Sequence, residues 1–75
     1  MTLDNINISQ YVKIIKITGP RLFRLRLLEL GFTSGTIVKR TGQAPLGDPK
    51  TYKIRNSVIC LRDQDAINIE VLSEF

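Results

Sequence analysis

The side chains able to do chemistry fall into three small groups. Cys60 is the single thiol, a possible nucleophile or metal ligand. Asp48, Asp63 and Asp65 carry carboxylates that could hold a cation or move a proton. Arg21, Arg24 and Arg26 surround Leu25 and could grip an acidic or amphipathic partner. Histidine is absent, so the commonest general base is missing and a closed zinc site has too few ligands. A transition-metal site with open positions would want imidazole and carboxylate ligands grouped together, and this chain has no imidazole. Ser9, Ser34, Ser57 and Ser73 have no sequence partner that would activate them. Gly42 and Gly47 lack the spacing and the lysine of a phosphate loop. The three aspartates fall in turns or caps, where Asp is expected for structural reasons. The expectation is therefore no catalytic residue, no cofactor and no metal site. Cys60, alternating with Ile59 and Leu61, is expected to be a small packed side chain.

What remains is a surface for a partner, and the chain that must carry it is short. Its 75 residues are read as one domain, 1–75, with a modest core and little stability to spare. A lone thiol excludes an internal disulfide and suits a reducing cytoplasm. The N-terminus is too polar for export, and no apolar run approaches the length that crosses a bilayer. The formal charge of +4 permits nucleic acid without demanding it. Tyr11 and Tyr52 are too few and too far apart for a stacking platform.

The elements follow from pattern. Tyr11 to Ile17 is a strand by its β-branched residues. Val12 and Ile14 share one face while Ile15 and Ile17 share the other, so a bend or bulge is expected. Thr18-Gly19-Pro20 breaks it, and Pro20 fits a helix start. Arg21 to Leu30 reads as a helix with Phe23, Leu27 and Leu30 toward the core. Leu28 is expected against the N-terminal segment. Gly31 ends the helix in the left-handed conformation, with Phe32 folding back on the last turn. Ile37 to Thr41 is a second strand. Gly42 to Lys50, with two prolines and two glycines, is excluded as a central strand. Thr51 to Arg55 and Val58 to Leu61 form a hairpin around Asn56-Ser57, with Asn56 supplying the positive φ. Asp63 is the expected N-cap of a single helical turn to Asn68, and Ile69 to Leu72 closes the chain. Leu3, Ile6 and Ile8 place the first ten residues on the body. The sum is a mostly β fold, a small, strongly bent five-stranded barrel with one helix after the first strand and a helical turn before the last.

These elements carry a resemblance. Arg26-Leu27-Leu28-Glu29-Leu30-Gly31-Phe32, then Gly35-Thr36, then Ala44-Pro45-Leu46-Gly47-Asp48-Pro49, then Leu61-Arg62 with Ala66 and Ile69-x-Val71, resemble the FeoA family of bacterial ferrous iron transport. The likeness runs nearly end to end and implies an SH3-like barrel. It extends less closely to the C-terminal domain of metal-dependent repressors. Four positions depart from the family pattern. Ser9 and Asn56 stand where glycine is common, Leu25 where a basic residue is usual, and Ile67 where a polar one is.

The resemblance implies a cytoplasmic accessory protein that binds FeoB, the membrane ferrous iron transporter with a GTPase domain. It would reach the inner membrane through that partner, without inserting in the bilayer. The expected contact residues are Arg21, Arg24 and Leu25 on the helix, and Leu46, Gly47, Asp48, Pro49 and Lys50 in the loop. Leu25 either lies under residues 1–10 or forms an apolar spot rimmed by arginines. A proline-stiffened loop loses little entropy on binding. The alternatives are a basic nucleic-acid-binding barrel and self-association through Leu25 or an edge strand, giving a weak homo-oligomer.

Overall fold

A computed structural model of the chain describes residues 1–74. A 3-10 turn at Leu3–Asn5 precedes β1 (Tyr11–Ile17), α1 (Arg21–Glu29), β2 (Ile37–Gln43), β3 (Lys50–Ile54), β4 (Ser57–Leu61), α2 (Asp63–Ala66) and β5 (Ile69–Ser73). The strands form one antiparallel sheet in the order β4-β3-β2-β1-β5. Two bulges bend it. Ile14 and Lys16 face consecutive residues of β5, so Ile15 is extra. Arg40 and Gly42 face consecutive residues of β3, so Thr41 is extra. The first bulge resolves the two-faced pattern of β1: Val12 and Ile14 are buried, Ile15 is pushed out, and Ile17 turns back to pack on the core. The second carries β2 through Gly42 and Gln43 in the middle of the sheet. That corrects the expectation that the strand ends at Thr41, since a bulge accommodates a glycine a flat strand would not.

The hairpin also differs from expectation in one detail. Its two-residue loop is Arg55-Asn56, and the left-handed residue is Arg55 (φ 55°), not Asn56. Ser9 likewise has φ 70°, which gives a physical reason for the glycine common there in the resembling family. Left-handed backbone costs an L-residue about 1–2 kcal/mol, partly offset by the greater unfolded-state freedom of glycine. Ser9→Gly should therefore raise stability by about 0.5–1 kcal/mol, read as a higher urea midpoint. A lower midpoint would refute the strain argument.

The core gathers Leu3, Ile6, Val12, Ile14, Leu27, Phe32, Val38, Tyr52, Ile54, Ile69 and Val71. Leu3 and Ile6 place the N-terminal segment on the body as expected, whereas Ile8 is exposed. Backbone bonds tie it down: the Met1 carbonyl accepts from the Val71 N–H at 2.8 Å, and Thr2 bridges to Glu70 along the β5 edge. Arg40 does more. It is buried, donates from Nη1 to the Ile6 carbonyl at 2.8 Å, and reaches Gln43 Oε1 with its other terminal nitrogen. Its position was readable in principle, because Arg40 lies two residues from the buried Val38 on the same strand face.

Candidate docking site

α1 begins after Pro20 and ends in a two-bond cap. The Gly31 N–H donates to the Leu28 carbonyl and the Phe32 N–H to the Leu27 carbonyl, both at 3.0 Å, with Gly31 at φ 102°. Leu27 and Phe32 are both buried, so the cap is also an apolar clasp. This matches the expected stop. The helix faces do not all match. Leu27 is buried and Phe23 packs on the core, but Leu30 is 45% exposed. A helix with leucine on every side gives periodicity no face to choose. Leu28 is not buried under the N-terminal segment. It is exposed and lines a cleft of about 230 Å³ between α1 and β1, with Ile15, Ile17 and Arg24, over Phe32. Leu25 is 41% exposed, so residues 1–10 leave it open to solvent.

The electrostatics of this face are unusual for a helix that owes its stability only to itself. Arg21 and Arg24 occupy its first turn, where the helix dipole is positive, and no acid accompanies them. That placement costs a few tenths of a kcal/mol per charge. Among the described residues, none of the three helix arginines is in an ion pair. An acidic partner would supply the missing charge.

The 44–50 loop is held at its base and bare at its tip. The Gly47 N–H donates to the Ala44 carbonyl at 2.8 Å, and the Ala44 N–H to the Pro49 carbonyl at 2.9 Å. The turn lifts Leu46 to 97% exposure. Asp48 and Lys50, expected as contact residues, have tasks inside the protein. Asp48 Oδ1 accepts from the Asp63 N–H at 2.9 Å, satisfying an orphan donor at the start of α2. Asp63 is thus inside the helix and is not its own N-cap, correcting the sequence expectation; Arg62 holds the cap position. Lys50 Nζ lies 2.6 Å from both Asp63 oxygens, with the lysine side chain 12% exposed. These two residues present Leu46, Gly47 and Pro49 (the Asp48–Pro49 peptide is cis). No hydrogen bond or ion pair among the described residues joins this loop to α1, and neither the α1–β1 cleft nor the one lined by Phe23 and Leu30 includes it. The expected contact residues therefore form two patches.

Asp63→Ala should remove the counter-charge from a nearly buried lysine. The carboxylate is partly solvated, so a loss of about 1–2 kcal/mol is expected, read as a lower denaturant midpoint. Asp48→Asn keeps an oxygen acceptor for the α2 N–H and should cost less. If the two variants reverse that order, the latch has been misassigned.

Cys60 departs most plainly from its expected place. The pairing of Thr51 with Cys60 and of Tyr52 with Ile59 sends Ile59 and Leu61 inward and Cys60 outward. The alternation with Ile59 and Leu61 was the correct observation, but it puts the thiol on the solvent face. Among the described residues no three Cys, Asp or Glu side chains are grouped to hold a metal ion.

With this geometry in view, comparison with known proteins is direct. The FeoA domain family model matches residues 1–72. The chain belongs to the FeoA family. A curated FeoA relative, the Fe(2+) transport protein A/Fe(2+) transporter FeoB fusion protein of Porphyromonas gingivalis, is 37% identical over 95% of this chain. The chain spans only 8% of that fusion's length. The solution structure of FeoA from Chlorobium tepidum superposes with a TM-score of 0.93 at 25% identity, over all of this chain and 71% of the other. Stenotrophomonas maltophilia FeoA, described as a prokaryotic SH3 domain protein and solved with zinc, matches with a TM-score of 0.83 at 24% identity, over 95% of this chain and 88% of its own. The FeoA fold is thus the SH3-like, mostly β arrangement that the sequence implied, with α1 between the first two strands and α2 before the last.

Proposed function

We propose that this FeoA-family chain is a non-catalytic docking module for a membrane ferrous iron transporter of the FeoB type, working on the cytoplasmic side. The observation that carries the reading is the α1 face. Leu25 and Leu28 are exposed, Leu28 and Arg24 line an apolar cleft, and among the described residues neither Arg21 nor Arg24 is in an ion pair. Apolar centres with arginine rims are what well-packed interfaces bury. The stiff, exposed Leu46 tip supplies a second contact. The fusion of both parts in one Porphyromonas gingivalis protein supports a working proximity between them. Docking would act by favouring whichever transporter state presents the better complement, since a ligand shifts an equilibrium only through differential affinity.

The combined variant Leu46→Ala, Arg24→Glu tests this. Neither side chain is buried in the core, and a glutamate suits the first turn of α1 better than an arginine, so the thermal melt should not fall. Capture of the detergent-solubilised transporter should fall by about tenfold or more, the effect of losing one anchor and reversing one charge. Undiminished capture with an intact melt would sink the assignment of this surface.

A further inference from the structure

The outer face of the sheet is a different surface from the α1 cleft. Along its β1–β5 edge Lys13 and Lys16 pair with Glu74 and Glu70, while across β1, β2 and β3 its charge is of one sign. All seven acidic residues lie outside β1, β2, β3 and β4, while those strands carry Lys13, Lys16, Lys39, Arg40, Lys50 and Lys53. On the outer face Lys39 and Lys53 are direct cross-strand partners, in a row that continues to Tyr11. Like charges placed opposite one another destabilise a sheet. Tyr11, Ile37, Lys39 and Lys53 line a cleft on this face together with Arg55, which makes one long hydrogen bond to Thr33 Oγ1 at 3.3 Å. Among the described residues none of these three cations is in an ion pair. Between them sit two exposed apolar groups, Tyr11 and Ile37.

We infer that this face rests on an anionic membrane surface, with Lys39, Lys53 and Arg55 on lipid phosphates and Tyr11 and Ile37 at headgroup depth. This deepens the reading above, in which the partner is itself embedded in a bilayer. The composition favours lipid over the other polyanions. The cleft, about 200 Å³, is partly open to solvent and is lined by three cations, a tyrosine and an isoleucine. A nucleic acid would want bare aromatic rings to stack on. Here the face of Tyr11 already carries the Lys39 ammonium, 5.3 Å from the ring centroid, and Tyr52 is buried. A tyrosine among lysines is instead the composition of an interfacial contact. Each cation near an anionic leaflet is worth about fivefold in partitioning, so three give a weak contact that becomes effective beside a bound transporter.

The test is sedimentation of the full chain with vesicles of phosphatidylcholine alone or with about one-third phosphatidylglycerol, in low salt where surface charge is least screened. Partitioning onto anionic vesicles should exceed that onto neutral ones by about 100-fold, and high salt should release the protein. Lys39→Glu, Lys53→Glu should bring binding to the neutral-vesicle level, and Lys39→Gln, Lys53→Gln should lower it by about 25-fold. The glutamine variant, which relieves the like-charge pair, should melt no lower than the parent, and the glutamate variant, which replaces it with another, should melt about where the parent does. Equal binding to both vesicle types, or variants that bind like the parent, would overturn the inference. So would a single-stranded oligonucleotide that displaces the protein from anionic vesicles and is itself lost in the glutamine variant. No transporter is present in this assay, so its result stands apart from the capture experiment.

Discussion

Phe32→Ala should cost about 3–5 kcal/mol, out of a total that for a chain of this length is roughly 4–11 kcal/mol. Phe32 is fully buried and links three levels of the structure. Its backbone N–H closes the α1 cap on the Leu27 carbonyl. Its ring packs in the core with Leu27. It also lines the cleft between α1 and β1. Alanine keeps the backbone bond and removes the ring, so α1 loses its apolar clasp and the cleft its floor. The variant should be only marginally folded, with a melting temperature at least about 12 °C lower. Phe32→Leu refills most of the volume and should cost under about 1.5 kcal/mol. Circular dichroism melts separate the two. A loss below about 1 kcal/mol in the alanine variant would mean the ring is not the keystone of this corner. If the α1 face is the docking surface, the leucine variant should retain partner capture while the alanine variant loses it even at temperatures where it is folded.

The sequence made the local elements of this corner plain and its long-range tasks obscure. Tyr11 to Ile17 is a strand with the bend its two-faced pattern requires. Gly31 stops α1 with Phe32 folded back. Leu25 and Ile67, singled out as apolar departures from the family pattern, are both in solvent. Such features depend on neighbours within one or two turns of chain. What pattern could not reach depends on which distant segment arrives. Asp48 looks like any turn aspartate until α2 presents its first N–H 15 residues away. Lys50 looks like a surface charge until Asp63 closes over it. Leu30 keeps the right spacing for the core and misses it, because a nine-residue helix with leucines all round can rotate at little cost. Arg40 was hidden by residue type alone. Its alternation with Val38 places it inward, and the carbonyl of Ile6 is what makes an arginine tolerable there. For the candidate site, the sequence pointed to both patches but could not say that both charged side chains of the loop, Asp48 and Lys50, are engaged with Asp63 at the start of α2.

Alkali should unfold this protein in a way that one residue controls. Tyr52 is fully buried, and its hydroxyl points at the Leu3 carbonyl, 3.4 Å away. Burial foremost, and then the negative charge of Asp63, push its pKa up from 10.0 to about 12, while Arg40 pulls the other way. In the unfolded chain the phenol ionises near pH 10. Between those values the unfolded chain releases a proton that the folded protein still holds, so the folded state binds more protons and stability falls as pH rises. The stabilisation is whole below pH 10 and disappears through pH 12, at about 1.4 kcal/mol per pH unit, or about 2.7 kcal/mol in all. Tyr52→Phe fills nearly the same volume and gives up only a long hydrogen bond, so near neutrality it should cost about 0.5–1 kcal/mol. Above pH 10 the order should invert, with the phenylalanine variant the more stable, because it has no proton to lose. Urea midpoints at neutral pH and at several alkaline values measure both slopes, and lysines common to the two proteins cancel in the difference. Parallel slopes would show that the hydroxyl reaches water in the folded protein. A steeper parent slope would place the phenol in the dry centre, where it ties the N-terminal segment to β3 and so underlies every surface that this small barrel presents.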